Sequence, residues 1–250
     1  MTLLARATLA LLLAAAAPAR AGQIDVKPIL VELGPRGRTA LLEVRNSGTT
    51  PLRVQVRTAS WAQDAAGVMR VEPTTELLAF PPLLEIAPGT SRNVRVGTEL
   101  APGPAERSFR VFLEELPPPA DVSAAEVRVL TRISIPVFVA PAVPVVRAVV
   151  APPAAAAGRV TALLRNEGNA RFRPSAVRLV VRGASGGPLL EQDLEGWYVL
   201  AGGERRYEVA LGAAVCAAAR AAAVTATVTA TLDTGEAKAS APIPPGACGP

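Results

Sequence analysis

The chain has 250 residues, half of them apolar, with 26 basic and 21 acidic side chains and no histidine. A formal charge of +5 is too mild for a nucleic-acid binder. Without histidine, Ser-His and Cys-His nucleophiles and the usual zinc ligand sets are excluded.

At the N-terminus, Arg6 precedes an apolar run over residues 9–17, and Ala19-Arg20-Ala21 supplies the small residues of a cleavage site. Residues 1–21 therefore read as a secretory signal, cut before Gly22, which gives a periplasmic or extracellular address. Cleavage removes Arg6 and Arg20 and leaves 24 basic against 21 acidic residues. The remaining 229 residues suit two domains of ordinary size.

Short alternating segments punctuated by Gly, Pro and Asn follow, the pattern of an all-β sandwich. The expected strands are 24–33, 39–46, 52–61, 83–86, 91–97, 108–116 and 127–139, seven in all, as in an immunoglobulin-like module. Pro88-Gly89 and Asn46-Ser47-Gly48 supply turn chemistry between them, and the loop 117–125 contains three consecutive prolines.

The last of these segments carries the sharpest signal. Val127, Val129, Thr131, Ile133, Ile135, Val137 and Val139 share one parity, and Arg128, Arg132 and Ser134 fall between them. A strand of that length spans about 40 Å. It contains Pro136, which cannot donate to a ladder and so points to a sheet edge. A long apolar edge recruits another chain unless it is shortened, charged or covered, so it reads as a surface for strand addition.

Residues 139–153, rich in Ala, Val and Pro, read as a semi-rigid linker. The plan then repeats: Leu41 to Gly48 and Ala162 to Gly168 are both strands running into an Asn-x-Gly turn. Further strands are expected at 176–181, 189–194, 204–211, 224–232 and 236–241, with a short helical turn in the alanine-rich 213–223. Cys216 and Cys248, the only cysteines, are expected to pair in an oxidising compartment.

No catalytic or metal site emerges. Glu114 and Glu115 are adjacent on a strand and point to opposite faces, and no P-loop or GxGxxG occurs. Neither an enzyme nor a cofactor is expected. Trp61 and Trp197-Tyr198 read as core anchors in a chain poor in aromatics.

Phe80 to Val96, Ser108 to Pro117 and Arg132 to Pro141 resemble, in order and spacing, the first domain of periplasmic pilus-assembly chaperones of the PapD-like family. Asn166-Glu167-Gly168-Asn169 and the segment Trp197 to Gly203 resemble the branch associated with spore-coat-U-like subunits. The resemblance implies two immunoglobulin-like domains at an angle, over 22–141 and 142–250. It also implies that an edge strand is lent to pilus subunits, which then pass to an outer-membrane usher.

On that implication the donor residues are Val127, Val129, Thr131, Ile133 and Ile135. Each side chain that buries roughly 100 Å² contributes about 2.5 kcal/mol before association costs. The family also anchors a subunit carboxylate with basic residues on its first and last strands. The first-strand position falls near Leu30, so Lys27 is the nearest base, and Arg132 is the candidate on the last strand. The alternative reading is a secreted sandwich adhesin or surface subunit, in which the strand is paired internally.

Overall fold

The computed structural model describes residues 24–35, 37–64, 66–117, 129–184 and 186–248. The signal expected over 1–21, and with it Val127 and Arg128, lies outside these residues. Two hydrophobic cores divide the chain, one built from Ile24 to Val139 and the other from Val150 to Ala247.

The first core lies between two sheets. Strand β1 (Ile24–Lys27), β3 (Thr39–Asn46), β8 (Ser91–Gly97) and β6 (Leu78–Phe80) form a four-stranded sheet in the order β1-β3-β8-β6. Facing it are β2 (Val31–Leu33), β10 (Arg132–Val139), β9 (Arg107–Glu115), β4 (Leu52–Gln63) and β5 (Met69–Pro73), in that order, with β7 (Leu83–Ile86) also paired to β4. Alternation does the work: Leu42 and Val44 of β3, Val94 and Val96 of β8 and Val111 and Leu113 of β9 point inward and are fully buried.

The segment 24–33, expected as one strand, is two. The chain leaves β1 at Pro28, which has no N–H for a ladder, and re-enters the opposite sheet as β2. Strands β5 and β6 were not expected from the sequence, since every residue of β5 is exposed and leaves no alternation to detect.

The second core is enclosed by β11 (Ala148–Ala156), β12 (Arg159–Asn166) and β15 (Glu204–Ala210) on one side. On the other are β14 (Pro188–Leu194), β13 (Ala176–Gly183), β16 (Val224–Leu232) and β17 (Gly235–Ile243). The linker expected over 139–153 is shorter than that, because β11 begins at Ala148. Its Pro152 and Pro153 sit where the register with β12 shifts, on a strand at the sheet edge. The alanine-rich stretch forms helix α1 (Ala213–Ala221), and a disulfide joins its Cys216 to Cys248 in the closing 3-10 turn.

The repeated Asn turns have one construction. Asn46 is buried, and its Nδ2 donates to the carbonyls of Thr50 and Ile86 while its Oδ1 accepts from Gly48 N–H. Asn166 donates to the carbonyls of Ala170, Val199 and Leu200 and accepts from Gly168 N–H. At Gly168 a Cβ would stand 2.2 Å from the Val145 carbonyl, so only glycine fits beneath the connection between the two units.

Candidate functional site

Strand β10 is covered unevenly. It pairs with β9 along its full length, from Arg132 opposite Glu114 to Val139 opposite Arg107. On its other side, β2 runs parallel to Val137–Val139 only. The backbone edge from Arg132 to Ile135 is therefore unpaired among the described residues, and Pro136 stands where the cover begins. Leading into this edge, Val129 is 85% exposed and Leu130 is exposed as well. Thr131 is tied back, its N–H donating to the Glu115 carboxylate and its carbonyl accepting from Glu115 N–H.

The outer face of this sheet looks away from its own core. It presents Ala59, Trp61 and Gln63 of β4, Arg110 and Phe112 of β9, and Arg132, Ser134 and Phe138 of β10. Trp61, Phe138 and Leu200, with Leu30 and Tyr198 beside them, form a third small core that joins the two domains. The rings of Trp61, Phe138 and Tyr198 lie 5.4 to 5.7 Å apart. A cleft of about 530 Å³ opens between the domains, lined by Leu30, Glu32, Glu106, Phe138, Arg171 and Tyr198 among others.

Three arginines meet this face in different electrostatic settings. Arg171 places its guanidinium 3.6 Å over the Phe138 ring, pairs with Glu106 and Glu32, and donates its backbone N–H to Glu106. Burial pushes the Glu106 carboxyl up, and Arg171 offsets only part of that shift. Arg132 stacks over Phe112 and pairs with Glu114 at 2.9 Å. Arg110 lies 3.7 Å over Trp61, is 5% exposed and has no carboxylate partner among the described residues. Burial pushes its pKa down to about 10, so it is still a cation at neutral pH.

Residues 23–144 match the family model described as the pili and flagellar-assembly chaperone, PapD N-terminal domain. Residues 23–144 are thus a PapD-like pilus-chaperone N-terminal domain. No curated protein matches it by sequence. Among solved structures, it is similar to a chain of the CsuC–CsuE chaperone–tip adhesion subunit pre-assembly complex of Acinetobacter baumannii archaic Csu pili. Identity there is 20% and the TM-score 0.57, over 89% of this chain and 99% of that one.

The class 5 fimbriae chaperone CfaA shows 13% identity and a TM-score of 0.58, over 86% of this chain and 97% of its own. The Escherichia coli chaperone DraB shows 17% identity and a TM-score of 0.54, over 90% and 98%. At these identities the likeness is one of fold. Pilus assembly by chaperoning is the work that goes with the family, and the family is not enzymatic. No helix among the described residues is long and apolar enough to cross a membrane.

Against this PapD-like frame the residues singled out in the sequence separate. Val129 is free at the open edge, and Ile133 is half-buried against the first core. Ile135 is a correction: its side chain is fully buried in the domain's own core, because β9 holds it there. Lys27 is another. It lies on β1 in the opposite sheet, paired in register with Glu43, so it does not share a face with Arg132.

Arg132 is on the outer face, but Glu114 already neutralises it. In sequence, Arg110 reads as an ordinary polar alternate of β9, and nothing local singles it out. Its burial depends on Trp61, 49 residues away in sequence and on the neighbouring strand.

Proposed function

We propose that this protein works in the periplasm, holding pilus or fimbrial subunits by lending them the free edge of β10. The subunit's incomplete sandwich would pair with the unpaired main chain of Arg132 to Ile135 and take Val129, with Val127, Thr131 and Ile133, into its groove. The observation that carries this reading is the half-covered strand, in which β2 protects Val137–Val139 and leaves the rest open. Residues 22–141 then act as the subunit-binding domain and 142–250 as the second wall of the cleft.

Delivery to an outer-membrane usher is the second half of the proposal, supported by a patch on the opposite sheet. Phe80, at 73% exposure, and Leu41 flank Arg95 in one cross-strand row, and Leu78 stands in the next. An apolar cluster on the outside of a sheet marks a surface for another protein.

Co-expression with a small secreted subunit tests the first half. Val129→Asp should abolish recovery of that subunit, because the charge would enter an apolar groove only in the complex. The free protein should melt as wild type, since Val129 touches solvent. Equal recovery with wild type and Val129→Asp would remove the edge from the mechanism.

A further inference from the structure

Strand β5 carries a second open edge, on the opposite side of the sheet from β10. All its residues, Met69 to Pro73, are exposed, and so is the apolar Val68 before them. The hairpin joining β4 to β5 closes on a bond from Asp64 N–H to the Val68 carbonyl. Bonded and non-bonded pairs alternate along an antiparallel ladder. Arg70, opposite Ala62, and Glu72, opposite Ser60, therefore turn their N–H and C=O toward β4, while Met69, Val71 and Pro73 turn theirs outward. The outward groups of Met69 and Val71 have no hydrogen-bond partner among the described residues. Pro73, which has no N–H, stands where the sheet does not call for one.

A short edge that carries charge normally repels a like edge. This edge does not, because a cation and an anion, Arg70 and Glu72, stand on either side of Val71. Laid antiparallel on a second copy about a two-fold axis at Val71, each Arg70 meets the other copy's Glu72 and each Met69 meets its Pro73. Val71 N–H then donates to the other copy's Val71 carbonyl, and Met69 N–H to its Pro73 carbonyl, each bond made twice by the symmetry. Sliding the copies by two residues either way sets Arg70 against Arg70 or Glu72 against Glu72, and like charges directly opposite are destabilising. Charge thus selects both the partner and the register.

We propose that β5 is a self-pairing edge, through which two copies of this chain join their first-domain sheets into one. The hairpin tip rests on the second domain, where Gln63 Oε1 accepts from Leu200 N–H and Gly67 lies against Arg205. Antiparallel pairing points the two tips in opposite directions, so the second domains lie at opposite ends of the joint sheet. The β10 edges lie on its outer sides and stay open, which makes this contact independent of subunit capture. A strand this short buries less than a stable dimer needs, so association belongs to high concentration, with a Kd of about 0.1 to 1 mM.

Sedimentation equilibrium of the full chain without residues 1–21, run from about 10 μM to about 1 mM, should show the mass rising from monomer toward dimer. In 15N spectra the signals of residues 68–73 should move over the same range. A mass that stays at the monomer throughout overturns the proposal.

Arg70→Glu and Glu72→Arg should each weaken association about tenfold, because each sets like charges opposite one another twice. An equimolar mixture of the two should regain wild-type association, since every facing pair is then of opposite sign. A mixture of folded variants that stays monomeric overturns the proposal. Arg70 also pairs with Asp64 within the hairpin, so Glu72→Arg, whose side chain has no partner among the described residues, carries the test alone if Arg70→Glu fails to fold. Undiminished association of Glu72→Arg overturns the proposal as well. Val129→Asp should leave association unchanged, and its loss there would move the contact to the β10 edge and overturn pairing through β5.

Discussion

Arg110 and Arg171 lay their guanidinium groups on rings of one aromatic cluster, 3.7 Å over Trp61 and 3.6 Å over Phe138. Their surroundings differ in a single respect. Arg171 comes from the second domain and finds Glu106 and Glu32 on the first, so it closes the interface. Arg110 belongs to the first domain, and the fold supplies it with no acid. Stacking alone places a cation, but what faces the cation decides whether it fastens the interface.

The same substitution at both positions should therefore have opposite effects on the free protein. Arg171→Met strands Glu106, whose side chain is only 3% exposed, and should destabilise by about 3 to 5 kcal/mol, the cost of breaking a buried pair. Arg110→Met removes an uncompensated buried charge and should stabilise by about 1 kcal/mol. Denaturant unfolding of the two variants measures both, and losses of equal sign and size would erase the distinction.

Acidification tests the same contrast with a smaller effect. Burial raises the Glu106 carboxyl above its ordinary value of 4.5, with Arg171 and Glu32 as the charged groups facing it. The folded state then holds this proton more tightly than the unfolded one. Through this group, stability rises as pH falls through the folded pKa and levels off below the unfolded value. Wild type should thus gain on Glu106→Gln in melting temperature between neutrality and about pH 4.5. A loss relative to the glutamine variant would mean that attraction to Arg171 outweighs burial.

What could be read in the sequence follows from how local the cause is. The Asn46 and Asn166 turns were legible because both depend on a short motif, Asn-x-Gly, in which the side chain closes its own loop. Strands with one buried face were legible by alternation. Strand β5 was hidden because neither of its faces is buried, and the start of β11 was hidden by two prolines that an edge bulge tolerates.

The open edge of β10 was read correctly as an edge but too generously. Whether β2 covers Val137–Val139 depends on a pairing across 106 residues, Val31 with Val137, and β9 draws Ile135 inward through a pairing with Val111. The surroundings of the carboxylate candidates likewise depend on strand register. Parity places Arg132 on the outer face, but only the register of β10 on β9 shows Glu114 directly opposite it.

Arg132 is the intermediate case, and its removal should have the smallest effect. Its side chain is 54% exposed, and it shares Glu114 with Arg57, whose Nε lies 3.2 Å from the same carboxylate. Losing one of two exposed partners leaves Glu114 paired, so Arg132→Ala should cost under about 1 kcal/mol, and less as salt is raised. Capture of a subunit should change little, because the charge that Arg132 carries is already balanced within the fold. Melting curves at low and high salt, run beside a capture assay, measure both. A large loss of capture with stability unchanged would show that the subunit displaces Glu114 from Arg132.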